Sequence, residues 1–167
     1  MAEQIQTTLT LNIRQLVKVA PHIMKQKYGL LLRGKHGIGK SQIVYQLATE
    51  IPKFLGLDIK EMPVIDKRLS QCADAGDIVG IPSISDNLTK LNPMAWYHLA
   101  CEQPCILFFD ELDRAQIDVK QSIFEVGDSR KIDGRALHKD TIVVAAVNGG
   151  PNESQYQVKT FDPAVGS

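Results

Sequence analysis

Eight consecutive residues, GKHGIGKS from Gly34 to Ser41, satisfy the whole pattern G-x-x-x-x-G-K-[ST], and each fixed position has a chemical purpose. Gly34, Gly37 and Gly39 admit positive φ, which turns backbone N–H groups inward as a nest for phosphate oxygens at the positive end of the next helix. The Lys40 ammonium adds a point charge for the terminal phosphates, and the Ser41 hydroxyl is a ligand for Mg²⁺. Gly34, Lys35, His36, Gly37, Ile38, Gly39, Lys40, Ser41 and Gln42 are therefore read as the ATP-binding segment. A glycine-rich turn is the bland alternative, and the strand-to-helix context weighs against it.

Two further features point to the same chemistry. In ILFFDE, an apolar run delivers Asp110 and Glu111 to the C-terminal edge of a sheet, where ligands of open α/β folds bind. Asp110 is read as a Mg²⁺ ligand acting through water, and Glu111 as the group that orients or activates the water attacking the γ-phosphate. Taken alone, such a pair is more often a solvated start to the next helix. Asn148 follows the apolar run TIVVAAV and so reaches the same edge, where its amide is suited to the γ-phosphate or the attacking water. An asparagine before Gly149 and Gly150 is otherwise a turn former, and only the company of the loop and the carboxylates shifts that balance. Lys40, Glu111 and Asn148 are the catalytic candidates, and Ser41 and Asp110 the metal ligands. Arg114 is a lesser candidate for a phosphate or a neighbouring subunit. No metal is assigned to His22, His36, His98 or His138, and Trp96, Asp74 and Asp77 are read as structural.

These residues need a frame. Ile13, Leu16, Val17, Ala20, Ile23 and Met24 have helical spacing across 12–28, with Asn12 and Gln15 as a capping box and Pro21 bending or dividing the helix. GLLLRG reads as a buried parallel strand, and a helix over 40–51 is expected to halt before Pro52. MPVIDK is a second strand, whereas 69–91 has little periodicity and reads as loop with short helical turns. Asn92 and Pro93 form an N-cap and first-turn pair for a helix through MAWYHLACE. CILFF is a third strand, and in the helix over 116–126 Ile117, Ile123, Phe124 and Val126 are candidates for the core. RKIDGRAL holds Asp133-Gly134 as a two-residue hairpin turn, and TIVVAAVN is the fourth strand. Strands alternating with helices imply an α/β fold with a parallel sheet and right-handed crossovers.

The 167 residues suit one domain over 1–167, and 44% hydrophobic and 23% charged residues are ordinary for a globular chain. Nineteen basic against nineteen acidic residues give no global attraction to nucleic acid or anionic membrane. No run spans a bilayer, so a cytoplasmic protein is expected. Cys72, Cys101 and Cys105 lack zinc-site spacing and read as free thiols, Cys105 buried. There is no Asn-Lys-x-Asp run for guanine, which favours adenine.

With these residues in view, the chain resembles the AAA+ ATPases, within them the MoxR-like group, from about Tyr28 to Ala164. GKHGIGKS is similar to their Walker A loop, ILFFDELDRA to their Walker B strand and its continuation, VVAAVN to their sensor strand, and GDIVGIP to an Asp and Gly-x-Pro stretch. The hairpin between the Walker B helix and the sensor strand fits the same order. The resemblance implies a P-loop NTPase three-layer sandwich with ATP and Mg²⁺ as cofactors and Asn148 as first sensor. It also implies a hexameric homo-oligomer that remodels a protein or metal-cofactor assembly, often beside a von Willebrand A domain partner. FDPAVGS resembles the stretch that in the family leads to an arginine finger. Arg135 is the last arginine and no residues remain for a fifth strand or helical lid, so a C-terminally incomplete core with weak or absent hydrolysis is expected. An ATP-responsive binding module is the alternative function, and a small-molecule kinase a weaker one.

Overall fold

The computed structural model of the chain describes residues 9–149 and 156–160. The stretch Phe161–Ser167 compared above lies outside them. In chain order the elements are β1 (Leu9–Leu11), α1 (Ile13–Lys25), β2 (Leu30–Gly34), α2 (Lys40–Leu55), β3 (Val64–Arg68), α3 (Gly76–Val79), β4 (Ile81–Ser85) and β5 (Leu88–Asn92). They continue with α4 (Ala95–Glu102), β6 (Ile106–Asp110), α5 (Ile117–Ser129), β7 (Lys131–Ile132), β8 (Arg135–Ala136), β9 (Ile142–Asn148) and β10 (Tyr156–Thr160).

The four apolar runs form a parallel sheet in the order β2-β9-β6-β3, as their composition and spacing lead one to expect. Each strand of such a sheet is covered on both faces, and alternate residues divide between two cores. Ile106, Phe108, Ile142, Val144 and Ala146 face α1 and α2, packing with Leu16, Ala20, Met24, Ile43, Leu47 and Ile51. Leu107, Phe109, Val143 and Ala145 face α4, α5 and the β7–β8 hairpin, packing with Tyr97, Val119, Ile123 and Val126. The result is the expected three-layer α/β sandwich.

Several boundaries differ from the sequence reading, each for a local reason. The capping box at Asn12 and Gln15 forms (2.9 and 3.0 Å), but α1 ends at Lys25 and runs undivided across Pro21. The side chain of Ile13 is outside the described set. Helix α2 does not halt before Pro52. The Ala48 carbonyl that would have lost its partner to the proline accepts from Met62 N–H instead (2.9 Å), and the helix runs on to Gly56, whose φ of +69° ends it. The segment read as loop contains the β4–β5 hairpin, turned by Asp86 and Asn87, both at positive φ. Asn92 does not cap α4. It is the last residue of β5, its amide donates to Ser83 Oγ (2.8 Å), and the helix starts at Ala95. Ile117 points to solvent, whereas Ile123 and Val126 are buried and Phe124 packs at the core margin. Asp133-Gly134 turns β7 into β8 as expected.

One sheet edge was not anticipated. β10 pairs antiparallel with β2, and β1 with β10, so the sheet has six strands in the order β1-β10-β2-β9-β6-β3. The sequence reading left no residues for a further strand. Only residues 149–155 separate β9 from β10, too few for the crossover that parallel pairing needs, so the returning strand is antiparallel.

Candidate functional site

The loop between β2 and α2 owes its course to two glycines. Gly37 and Gly39 have φ of +77° and +92°, a region that costs a residue with a side chain roughly 1–2 kcal/mol. No side chain caps α2 and its first turn carries no acid, so its N-terminal N–H groups and dipole are directed at whatever occupies the loop. Gly34 departs from expectation. It is the last paired residue of β2, opposite Asn148, and contributes its carbonyl oxygen, which accepts from Lys40 Nζ and from Gly149 N–H, each at 2.9 Å.

Lys40 is only 8% exposed. Its ammonium donates to the Gly34 carbonyl, to Asn148 Oδ1 (3.1 Å) and to the Lys35 carbonyl (3.3 Å). Burial pulls its pKa below the ordinary 10.5, and the carboxylates of Asp110, Asp113 and Glu111 partly oppose that shift. The oxygens in direct contact with this ammonium are all neutral, so it is free to exchange them for the oxygens of an anionic ligand in a stronger, charge-assisted contact.

Strand β6 ends at Asp110, and the chain turns at once. Glu111 has a φ of +57°, uncommon for a non-glycine residue and of the kind that accumulates where geometry serves a site. Its N–H donates to Asp110 Oδ1 (2.8 Å). The Glu111 side chain is 14% exposed and engaged on both oxygens: Ser70 Oγ donates to Oε2, and Arg114 Nη1 lies 3.8 Å from Oε1. On β9, Asn148 donates from its backbone N–H (3.1 Å) and its Nδ2 (3.2 Å) to Asp113, which leaves Oδ1 facing Lys40. The amide of Asn148 is thus oriented by a cation on one side and a carboxylate on the other.

These groups meet in one cleft of about 320 Å³, lined by His36, Gly37, Gly39, Lys40, Ser41, Gln42, Arg68, Asp110, Glu111 and Asn148. Of the residues singled out by sequence, Gly34 and Lys35 reach it through carbonyl oxygens, while Ile38 packs against the α1–α2 core. Arg68, Ser70 and Asp113 were missed. Arg68 stands at the C-terminal end of a parallel strand, the same signal that exposes Asp110 and Asn148, but the strand expected from MPVIDK ends one residue short of it, at Lys67. The Ser41 hydroxyl and Asp110 carboxylate are hard oxygens, a set that fits Mg²⁺, which retains several waters and needs only one or two protein ligands. Among the described residues no cluster of three or more His, Cys, Asp or Glu could hold a metal by itself.

Residues 30–155 match a family described as "ATPase family associated with various cellular activities (AAA)". No curated protein matches the chain. Among solved structures, a point mutant of RuvB from Thermotoga maritima superposes with a TM-score of 0.50 at 15% identity, covering 82% of this chain and 38% of that one. The T. maritima RuvB Holliday junction branch migration motor gives a TM-score of 0.49 at 15% identity, covering 81% and 37%. The chain therefore spans less than two fifths of the RuvB structures it resembles, and the likeness is one of fold. No helix among the described residues is long and apolar enough to cross a membrane.

Proposed function

The chain belongs to the AAA family of ATPases, and from that membership we propose that it binds ATP with Mg²⁺ in the cleft above β2, β9 and β6 and hydrolyses it there. The observation that carries this reading is the seating of Lys40, a buried ammonium beside an uncapped helix start and facing Asp110, Glu111 and Asn148. In this reading the loop from Gly34 to Gln42 holds the phosphates and Lys40 turns from its carbonyl partners to the terminal phosphates. Ser41 and Asp110 would hold Mg²⁺, whose charge, when bound, neutralises phosphate oxygens. Glu111 accepts a proton from the attacking water, and Asn148, held by Asp113, fixes the position of that water or of the γ-phosphate.

The proposal extends to a ring-forming remodelling ATPase of the MoxR-like group, acting on a protein or complex beside a von Willebrand A domain partner. The β7–β8 hairpin between α5 and β9, together with the order of the motifs, supports that assignment.

Mg-dependent ATP turnover tests the core of it. Glu111→Gln is expected to bind ATP as the unsubstituted chain does while turnover falls about a hundredfold or more. Unchanged turnover in that variant would sink the hydrolytic role. A second reading, an ATP-responsive binding module with little turnover, is favoured by the capture of both Glu111 oxygens by Ser70 and Arg114. Tight ATP binding with nucleotide-dependent partner capture and no Glu111-dependent hydrolysis would select it.

A further inference from the structure

Arg68 is the last residue of β3 and lies in register with Asp110 on β6. It lines the same cleft as Lys40, Ser41 and Glu111. Yet it arrives from the opposite side. In the order β2-β9-β6-β3, the phosphate loop follows β2, Asn148 ends β9, Asp110 ends β6 and Arg68 ends β3. Strands about 4.8 Å apart put β3 some 14 Å from β2, so Lys40 and Arg68 flank the cleft with the carboxylates between them.

The chemistry of Arg68 is otherwise unspent. It is exposed, and among the described residues it makes no ion pair within 4.0 Å and no side-chain hydrogen bond. Its charge is felt at Asp66, whose carboxyl is raised by burial and by Asp110 and drawn back down by Arg68. A guanidinium without an ion-pair partner among the described residues can take an anion, and its planar fork matches phosphate oxygens better than a point charge does. A chain of phosphates held by the loop after β2 would present to Arg68, at the far end of β3, the phosphate furthest from that loop.

We propose that Arg68 contacts the γ-phosphate of bound ATP in cis, opposite Lys40, and makes the cleft discriminate the triphosphate from the diphosphate. The assignment rests on ATP binding at this cleft. ADP, which lacks that phosphate, gains nothing from Arg68.

The test compares affinities of a β,γ-imido ATP analogue and of ADP, each with Mg²⁺, for the unsubstituted chain, Arg68→Ala and Arg68→Gln. Loss of one charge-assisted contact is expected to weaken the triphosphate about tenfold or more and leave ADP within about twofold. Retained ADP binding also reports that the variants are folded, and Gln keeps most of the side-chain bulk should Ala disturb β3. Equal losses for both nucleotides would make Arg68 a structural counter-charge to Asp66 and Asp110 and overturn the proposal, as would no loss for either. Failure of the unsubstituted chain to bind either nucleotide would bring down the ATP-binding reading itself, a result distinct from an unchanged ratio.

Discussion

Lys40 is a buried lysine, and the cost of charging it there has a measurable signature in pH. Its pKa in the folded chain lies below 10.5 because burial disfavours the ammonium more than Asp110, Asp113 and Glu111 favour it. Between that lowered value and 10.5 the folded chain binds fewer protons than the unfolded chain, so this residue makes stability rise with pH across the window. The penalty is fully present below the folded value and gone above 10.5. Chemical denaturation of the unsubstituted chain and Lys40→Met, compared from neutral pH upward, is expected to show the difference in unfolding free energy moving in favour of the unsubstituted chain. A flat or falling difference would mean that the ammonium is not penalised. Nucleotide affinity is expected to run the other way and fall over the same window, since the neutral amine has no charge for phosphate.

At the scale of elements, the β4–β5 hairpin hangs on one residue. Gly80 has a φ of +107°, and a Cβ placed there would lie 2.1 Å from the Asn92 carbonyl oxygen and 2.9 Å from its carbon. Both atoms are backbone and have no rotamer to yield. Gly80→Ala is therefore expected to cost about 2 kcal/mol or more, read as a lowered thermal midpoint. Gly37→Ala, where an added Cβ meets nothing within 4 Å, carries only the strain of its left-handed φ. The hairpin was illegible in sequence for physical reasons: both its faces are largely exposed, its turn is Asp86-Asn87 rather than a pair with glycine, and Pro82 blurs the strand pattern. The parallel strands were legible because burial on both faces demands unbroken apolar runs such as CILFF and TIVVAAV. At the site, Lys40, Asp110 and Glu111 could be read because their chemistry is tied to local spacing. Arg68, Ser70 and Asp113 act across strands, and their proximity depends on the β3–β6 pairing and on the turns after β3 and β6, which no local pattern specifies. Pro52 misled because the partner that replaces its missing N–H, Met62, comes from beyond the helix.

For the whole molecule, the cleft is assembled from the ends of all four parallel strands, β2 through its loop, β9 through Asn148, β6 through Asp110 and β3 through Arg68. A ligand seated there bridges residues that are distant in sequence and binds only the folded chain, so its binding energy adds to global stability. At a Mg·ATP concentration a hundred times the Kd the gain is about 2.7 kcal/mol. For a chain of this size each kcal/mol moves the thermal midpoint by about 2–4 °C, which predicts a rise of roughly 5–10 °C. Lys40→Ala removes the ammonium at the centre of the cleft and is expected to lose that shift while keeping its own cooperative transition. The transition is the control that separates lost binding from lost folding. An equal rise in Lys40→Ala and the unsubstituted chain would mean that the nucleotide stabilises the protein somewhere other than between Gly34 and Ser41.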